Sequence, residues 1–139
     1  MRPLIVIAAS VLLTSCDSVT GPNERLVVGT VAFVSDPVVI EVPDTVSVSV
    51  PFSVSVHTFG GGCKRIGPTE VVINGLDAEI TPFDYTMTGD GVVCTDILRV
   101  FDHEASLTFA AAGSATVTIR GKEEPGDLPF ESIHTVWVR

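Results

Sequence analysis

Three cysteines, Cys16, Cys63 and Cys94, are the side chains of this sequence with the widest choice of covalent chemistry. A cysteine can be acylated on sulfur, can form a disulfide or can bind a metal as its thiolate. Because disulfides join cysteines in pairs, an odd number in an exported protein leaves one thiol to be explained. The position of Cys16 near the amino terminus suggests which of the three it is.

The residues before Cys16 have the parts of a secretory signal peptide. Arg2 supplies a positive charge, and residues 4–13 form an apolar run. This run is about ten residues long, whereas a helix that spans a membrane needs ~20. We therefore predict that residues 1–15 are a cleaved leader and not a transmembrane anchor.

The residues Leu13, Thr14, Ser15 and Cys16 resemble the lipobox of bacterial lipoproteins, in which an aliphatic residue and two small residues precede an invariant cysteine. The resemblance implies that Cys16 carries a diacylglyceryl group on sulfur and that cleavage exposes its amine for further acylation. Two or more acyl chains are enough for stable anchoring. Asp17 resembles the inner-membrane retention signal of enterobacterial lipoproteins, a rule that does not extend to all bacteria, so both membranes remain candidates. The alternative is an ordinary secretory leader in which Cys16 is a chance thiol.

The lipobox resemblance also accounts for the cysteine count. If Cys16 is acylated, Cys63 and Cys94 remain as a pair, and disulfides persist in exported proteins. A bond between them closes a loop of about 31 residues, for which the chain-entropy model gives roughly 3–4 kcal/mol of stability. The three glycines 60–62 would let the backbone at Cys63 approach its partner, or they form a binding loop. Two separate thiols are the alternative to the pair.

The three histidines give no sign of a metal or catalytic site. His57, His103 and His134 are far apart in sequence, and none has a histidine partner at i+2 or i+4. We expect each to be solvated and place His103 in an acidic turn, residues 102–104. The sequence contains no G-x-S-x-G elbow, P-loop, G-x-G-x-x-G fingerprint or EF-hand spacing. It therefore predicts no catalytic residues, no metal and no cofactor.

The charge of the chain limits its partners. The net charge is −9 at pH 7, and removal of the leader would take away only the positive charge of Arg2. Such acidity opposes binding of nucleic acid and of anionic lipid headgroups. Lys64 and Arg65 form the one local basic pair, so segments 60–68 and 121–129 are candidate binding loops, with Lys64 and Arg65 as contacts for an acidic partner. Solvated loops without a role are the alternative.

The pattern of apolar residues after Cys16 predicts a tether followed by strands. Residues 17–24 are polar and contain Gly-Pro, so we take 16–25 as the lipidated cysteine and a flexible tether. Between residues 46 and 56 every even position is apolar, a period of two that is typical of a strand with one buried face. Pro51 lacks the N–H that a ladder needs, so two short strands are expected there.

Further strands are expected along the rest of the chain. They include 26–34, 92–100, 106–109 and a last strand, 130–138, with Ile133, Val136 and Trp137 as core candidates. Asn74-Gly75 predicts a hairpin turn.

About seven to nine short strands at a spacing of ~8–12 residues predict an antiparallel β-sandwich over residues 26–139. The length and strand count resemble the immunoglobulin-like domains of bacterial surface proteins. The tryptophan that marks strand C of antibody domains is absent, because the sole tryptophan is Trp137.

These features predict a lipid-anchored protein of the bacterial cell envelope that is a non-enzymatic binding or structural module. It would contact a membrane through its anchor and a protein, peptide or glycan through loops or strand edges. The alternatives are an inhibitor of an envelope enzyme and a small envelope enzyme.

Replacing the anchor cysteine tests the lipobox directly. In a bacterial host supplied with radiolabelled fatty acid, Cys16→Ser is expected to abolish labelling, since the acylated sulfur is lost, whereas Cys63→Ser keeps the label. Unchanged labelling of Cys16→Ser would contradict the prediction.

Overall fold

A computed structural model describes residues 23–139, which form ten strands and no helix. This confirms the all-β class. The predicted leader (residues 1–15), Cys16 and the tether up to residue 22 lie outside the described residues. The strands are β1 (Glu24–Val28), β2 (Thr30–Phe33), β3 (Ile40–Glu41), β4 (Thr45–Val46), β5 (Phe52–Gly60), β6 (Lys64–Asn74), β7 (Asp77–Met87), β8 (Arg99–Leu107), β9 (Gly113–Glu124) and β10 (Leu128–Val138).

The strand count exceeds the predicted seven to nine partly because the run 26–34 is two strands. The chain changes neighbours at Gly29, since β1 pairs with β7 while β2 pairs with β5 and β9. The Gly29 N–H donates to the Pro82 carbonyl over 2.8 Å. A Cβ at Gly29 would lie 2.6 Å from Cγ2 of Thr58, so only glycine fits this crossing.

The ten strands form one curled sheet of mixed direction rather than a purely antiparallel one. Antiparallel pairs are β1–β7, β6–β7, β9–β10, β2–β5, β3–β5 and β5–β8. Parallel pairs are β4–β10, β2–β9 and β7–β9. The predicted hairpin is confirmed, but its turn lies one residue later: Gly75, at a φ of 63°, and Leu76 join β6 to β7.

Only some of the apolar even positions from residue 46 to 56 lie on a buried face. Val54 and Val56 of β5 are fully buried, and Val46 of β4 is also buried. Val50 is 52% exposed, because residues 47–50 form a turn in which the Val50 N–H donates to the Ser47 carbonyl. As predicted, the chain forms two strands, and Pro51 lies between them.

The curl brings side chains of seven strands into one core. β5 and β8 contribute from one part of the sheet, and β2, β4, β7, β9 and β10 contribute from the rest. The fully buried members are Val31, Val54, Val56, Ile80, Leu107, Phe109, Ala115, Val117, Ile119 and Val136. This apolar cluster supplies the main favourable free energy of folding.

The predicted core residues of the last strand are corrected. Val136 is fully buried, but Ile133 is 63% exposed and Trp137 is 59% exposed. Because side chains alternate across a strand, the odd positions of β10 face outward when Val136 faces the core. Among residues 23–139 there is no helix of the length and apolar character needed to cross a membrane.

Candidate functional site

Cys63 and Cys94 form a disulfide, with their Cα atoms 5.0 Å apart, which confirms the predicted pairing. Cys63 lies in the short turn between β5 and β6. Cys94 lies in residues 88–98, which connect β7 to β8 without forming a strand and are called the crossing segment below. The bond therefore attaches an irregular segment to the beginning of β6.

The glycines before Cys63 allow this close approach. The Gly62 N–H donates to the Thr95 carbonyl over 3.2 Å, and a Cβ on Gly62 would lie 2.8 Å from that same oxygen. A Cβ on Gly60 would lie 2.8 Å from Cε2 of Phe101. A larger residue at position 62 would push the crossing segment away, and one at position 60 would displace Phe101 of β8 or the Lys64 side chain.

A cavity of about 430 Å³ opens beside the disulfide. This volume is in the range of small-molecule sites, roughly 300–1,000 Å³. Its walls come from β2, from the end of β5, the beginning of β6 and the turn between them, from the crossing segment and from the end of β9. The side chains that line it are Phe33, Phe59, Ile97 and Leu98, which are apolar, and Thr30, Lys64, Asp96 and Glu124, which are polar.

Lys64 is the cation of this cavity, which we call the disulfide pocket. Its side chain is half-buried, and its aliphatic carbons fill the space where a Cβ of Gly60 would stand. The ammonium donates to Oγ1 of Thr30 over 3.5 Å, at the long limit of a hydrogen bond. Within residues 23–139, no carboxylate lies within 4.0 Å of its Nζ. The charge is therefore available to a ligand.

Arg65 does not share this site, so the predicted basic pair is not one patch. Successive residues of a strand point to opposite faces, and Arg65 turns away from Lys64. Its guanidinium donates to both carboxylate oxygens of Glu24, over 2.7 and 2.6 Å, and stacks 4.0 Å above the Tyr85 ring. These hydrogen bonds lower the pKa of the Glu24 carboxyl and raise that of Arg65.

The two predicted binding loops are much shorter than expected. β6 begins at Lys64, so only residues 61–63 of the segment 60–68 lie outside strands. β9 continues to Glu124 and β10 begins at Leu128, so only residues 125–127 of the segment 121–129 form a turn. Both segments still reach the disulfide pocket, through Lys64 and Glu124.

A second polar cluster, which was not predicted from the sequence, is buried in the interior. His103 was expected in a solvated turn, but it is 1% exposed and lies within β8. Its Nε2 is 3.1 Å from Oδ1 of Asp84 and 3.1 Å from Oγ1 of Thr58, whose hydroxyl donates to Oδ2 of Asp84 over 2.9 Å. Its Nδ1 is 3.1 Å from Oγ1 of Thr69.

This buried cluster joins β5, β6, β7 and β8. Asp84 accepts hydrogen bonds from Nε2–H of His103 and from the Thr58 hydroxyl, and the Thr69 hydroxyl contacts Nδ1 on the other side of the ring. Asp84 and Thr58 are both fully buried, so solvent and substrates do not reach the group. The period of two in the sequence of β8 is the signal that could have predicted the burial of His103. Phe101, His103, Ala105 and Leu107 occupy every second position of that strand and share its buried face.

The other two histidines have local partners. Nε2 of His57 lies 2.9 Å from Oδ1 of Asp102, directly across the β5–β8 pair, and Nε2 of His134 lies 3.0 Å from Oγ of Ser132. In the part of the chain that the structure describes, no three His, Cys, Asp or Glu side chains are grouped to hold a metal ion.

Comparison with models of protein families, with curated proteins and with solved structures finds no match.

The two aspartate–histidine contacts provide a matched test of the buried cluster. Asp84→Ala is expected to lower the free energy of unfolding by about 3–5 kcal/mol, because it removes the buried acceptor that His103 and Thr58 share and leaves at least one of their donors unsatisfied. Asp102→Ala removes the exposed partner of His57 and is expected to change it by less than about 0.5 kcal/mol. Guanidinium unfolding measures both, and equal effects would contradict the structural role of the cluster.

Proposed function

We propose that this chain is a lipid-anchored protein of the bacterial cell envelope and a non-enzymatic binding module whose ligand occupies the disulfide pocket. The observation that carries the binding role is the Lys64 ammonium, half-buried and without a carboxylate partner among residues 23–139, in a pocket with apolar walls.

The anchor is supported by the sequence before the domain. The lipobox-like residues 13–16, the apolar run before them and the polar residues after them are the parts that a lipoprotein needs. The disulfide between Cys63 and Cys94 suits the exported compartment to which such a leader directs a protein. Acylation of Cys16 would hold the pocket close to a membrane surface.

Binding is favoured over catalysis by where the polar groups lie. The Asp84–His103 contact has the residue types of a general base, but it is closed off from solvent. The pocket itself offers Lys64, Asp96 and Glu124, and neither carboxylate has a histidine or hydroxyl partner among the hydrogen bonds of residues 23–139. These groups suit recognition of a charged ligand better than proton transfer.

We further propose that the domain is an immunoglobulin-like sandwich. The shared core of β5 and β8 with β7, β9 and β10 supports two facing layers. The antiparallel pairs β5–β8 and β9–β10 fit such a domain. The parallel pairs β2–β9, β4–β10 and β7–β9 depart from its mostly antiparallel pattern.

An inhibitor of an envelope enzyme is the second candidate. Val93 is 91% exposed and precedes Cys94, so a disulfide holds an exposed apolar side chain in place. A rigid exposed loop is what a protease or hydrolase cleft would accept.

A retention experiment tests the binding role and the position of the site. Full-length lipidated protein is incubated with detergent-solubilised envelope, and the retained molecules of any size are identified by mass spectrometry. Lys64→Ala is expected to reduce retention at least tenfold, because it removes the available cation of the pocket. Arg65→Ala, the neighbouring residue on the opposite face, is expected to retain the ligand. Equal retention by wild type and Lys64→Ala would contradict the proposed site.

A further inference from the structure

We propose that the disulfide pocket binds a small zwitterion with an apolar side chain, namely a free amino acid or a dipeptide. The inference rests on the proposed function and adds the chemical class of the ligand. Three features of the pocket carry it: an apolar cleft, one available cation and two carboxylates.

The apolar cleft is formed by aromatic rings and by exposed aliphatic residues. The rings of Phe33 and Phe59 have centroids 6.1 Å apart and are tilted by 33°. Ile97 and Leu98 of the crossing segment are 54% and 50% exposed. Such concave apolar surface gains free energy when a side chain of a ligand covers it.

The cation is fixed in position and suits a carboxylate. Packing of the Lys64 carbons against Gly60 limits where the ammonium can point, and its only hydrogen bond among residues 23–139 is the long one to Thr30. No carboxylate of residues 23–139 lies within 4.0 Å of this ammonium. A carboxylate of a ligand would form the charge-assisted hydrogen bond that the protein itself does not supply.

The two carboxylates of the pocket favour a ligand that also carries a positive charge. Asp96 is exposed, Glu124 is half-buried, and neither has a cationic partner within 4.0 Å in the described range 23–139. They would repel a simple anion and disfavour phosphate more strongly, because a like charge at short range costs free energy. A simple cation would be repelled by Lys64. A molecule that carries both charges satisfies both sets of groups.

Calorimetric titration of the full-length lipidated protein in detergent tests the ligand class. L-Phenylalanine and leucyl-phenylalanine are the zwitterionic probes, 3-phenylpropionate lacks the ammonium, and 2-phenylethylamine lacks the carboxylate. The zwitterions are expected to bind at least tenfold more tightly than either comparator. Equal binding of a comparator, or no zwitterion binding at about 10 mM, which corresponds to less than ~3 kcal/mol of affinity, would overturn the inference.

Charge-removing variants give a second and sharper readout. Lys64→Gln is expected to weaken binding of phenylalanine at least tenfold and to strengthen binding of 2-phenylethylamine, because only the two carboxylates remain as charged groups of the pocket. Asp96→Asn with Glu124→Gln is expected to shift the preference to 3-phenylpropionate. Arg65→Gln is the control and is expected to leave all four affinities unchanged. Preferences that stay the same in the first two variants would overturn the inference.

The titration tests the ligand class and the envelope experiment tests the binding site, so their outcomes can be told apart. Retention that depends on Lys64, together with zwitterions that do not bind, would reject the ligand class and leave the binding site in place. Loss of Lys64 dependence in both experiments would reject the site itself.

Discussion

The disulfide between Cys63 and Cys94 is the constraint on which the pocket depends. Residues 88–98 form no strand, so the sheet does not hold them by a ladder of hydrogen bonds. The covalent bond and the hydrogen bond from Gly62 to Thr95 hold them against β6. For a loop of about 31 residues the bond contributes roughly 3–4 kcal/mol in the chain-entropy model. That is a large part of the ~5–15 kcal/mol by which a domain of this size is stable.

The apolar core and the buried polar cluster support the other walls of the pocket. The apolar core fixes β9, which carries Glu124, while the buried cluster around His103 ties β5 to β7 and β8. Thr58 belongs to this cluster and directly precedes Phe59, an apolar wall of the pocket. A fully satisfied polar network of this kind rigidifies the strands that it joins. Lys64 then stands between a rigid sheet and a segment attached to β6 by the disulfide and by the hydrogen bond from Gly62 to Thr95.

The features that were predicted correctly are those that depend on residues close together in the sequence. The strand class, the break at Pro51 and the hairpin between β6 and β7 follow from side-chain period, a missing N–H and turn propensity. The pairing of Cys63 with Cys94 came from counting, once the lipobox resemblance set Cys16 aside. The pocket was not predictable, because its walls come from strands and segments far apart in sequence. The opposite directions of Lys64 and Arg65 depend on where β6 begins, and the burial of His103 depends on the register of β8 with β5.

Methyl NMR of the full chain, oxidised and reduced, measures most directly whether the disulfide holds the pocket wall. On reduction, the methyl signals of Ile97 and Leu98 are expected to move to random-coil positions, while those of Ile119 and Leu107 in the core keep their folded shifts. The core signals show that the domain remains folded, and retention of the ligand is expected to fall at least tenfold in the same sample. Unchanged Ile97 and Leu98 signals and unchanged retention after complete reduction would contradict this account.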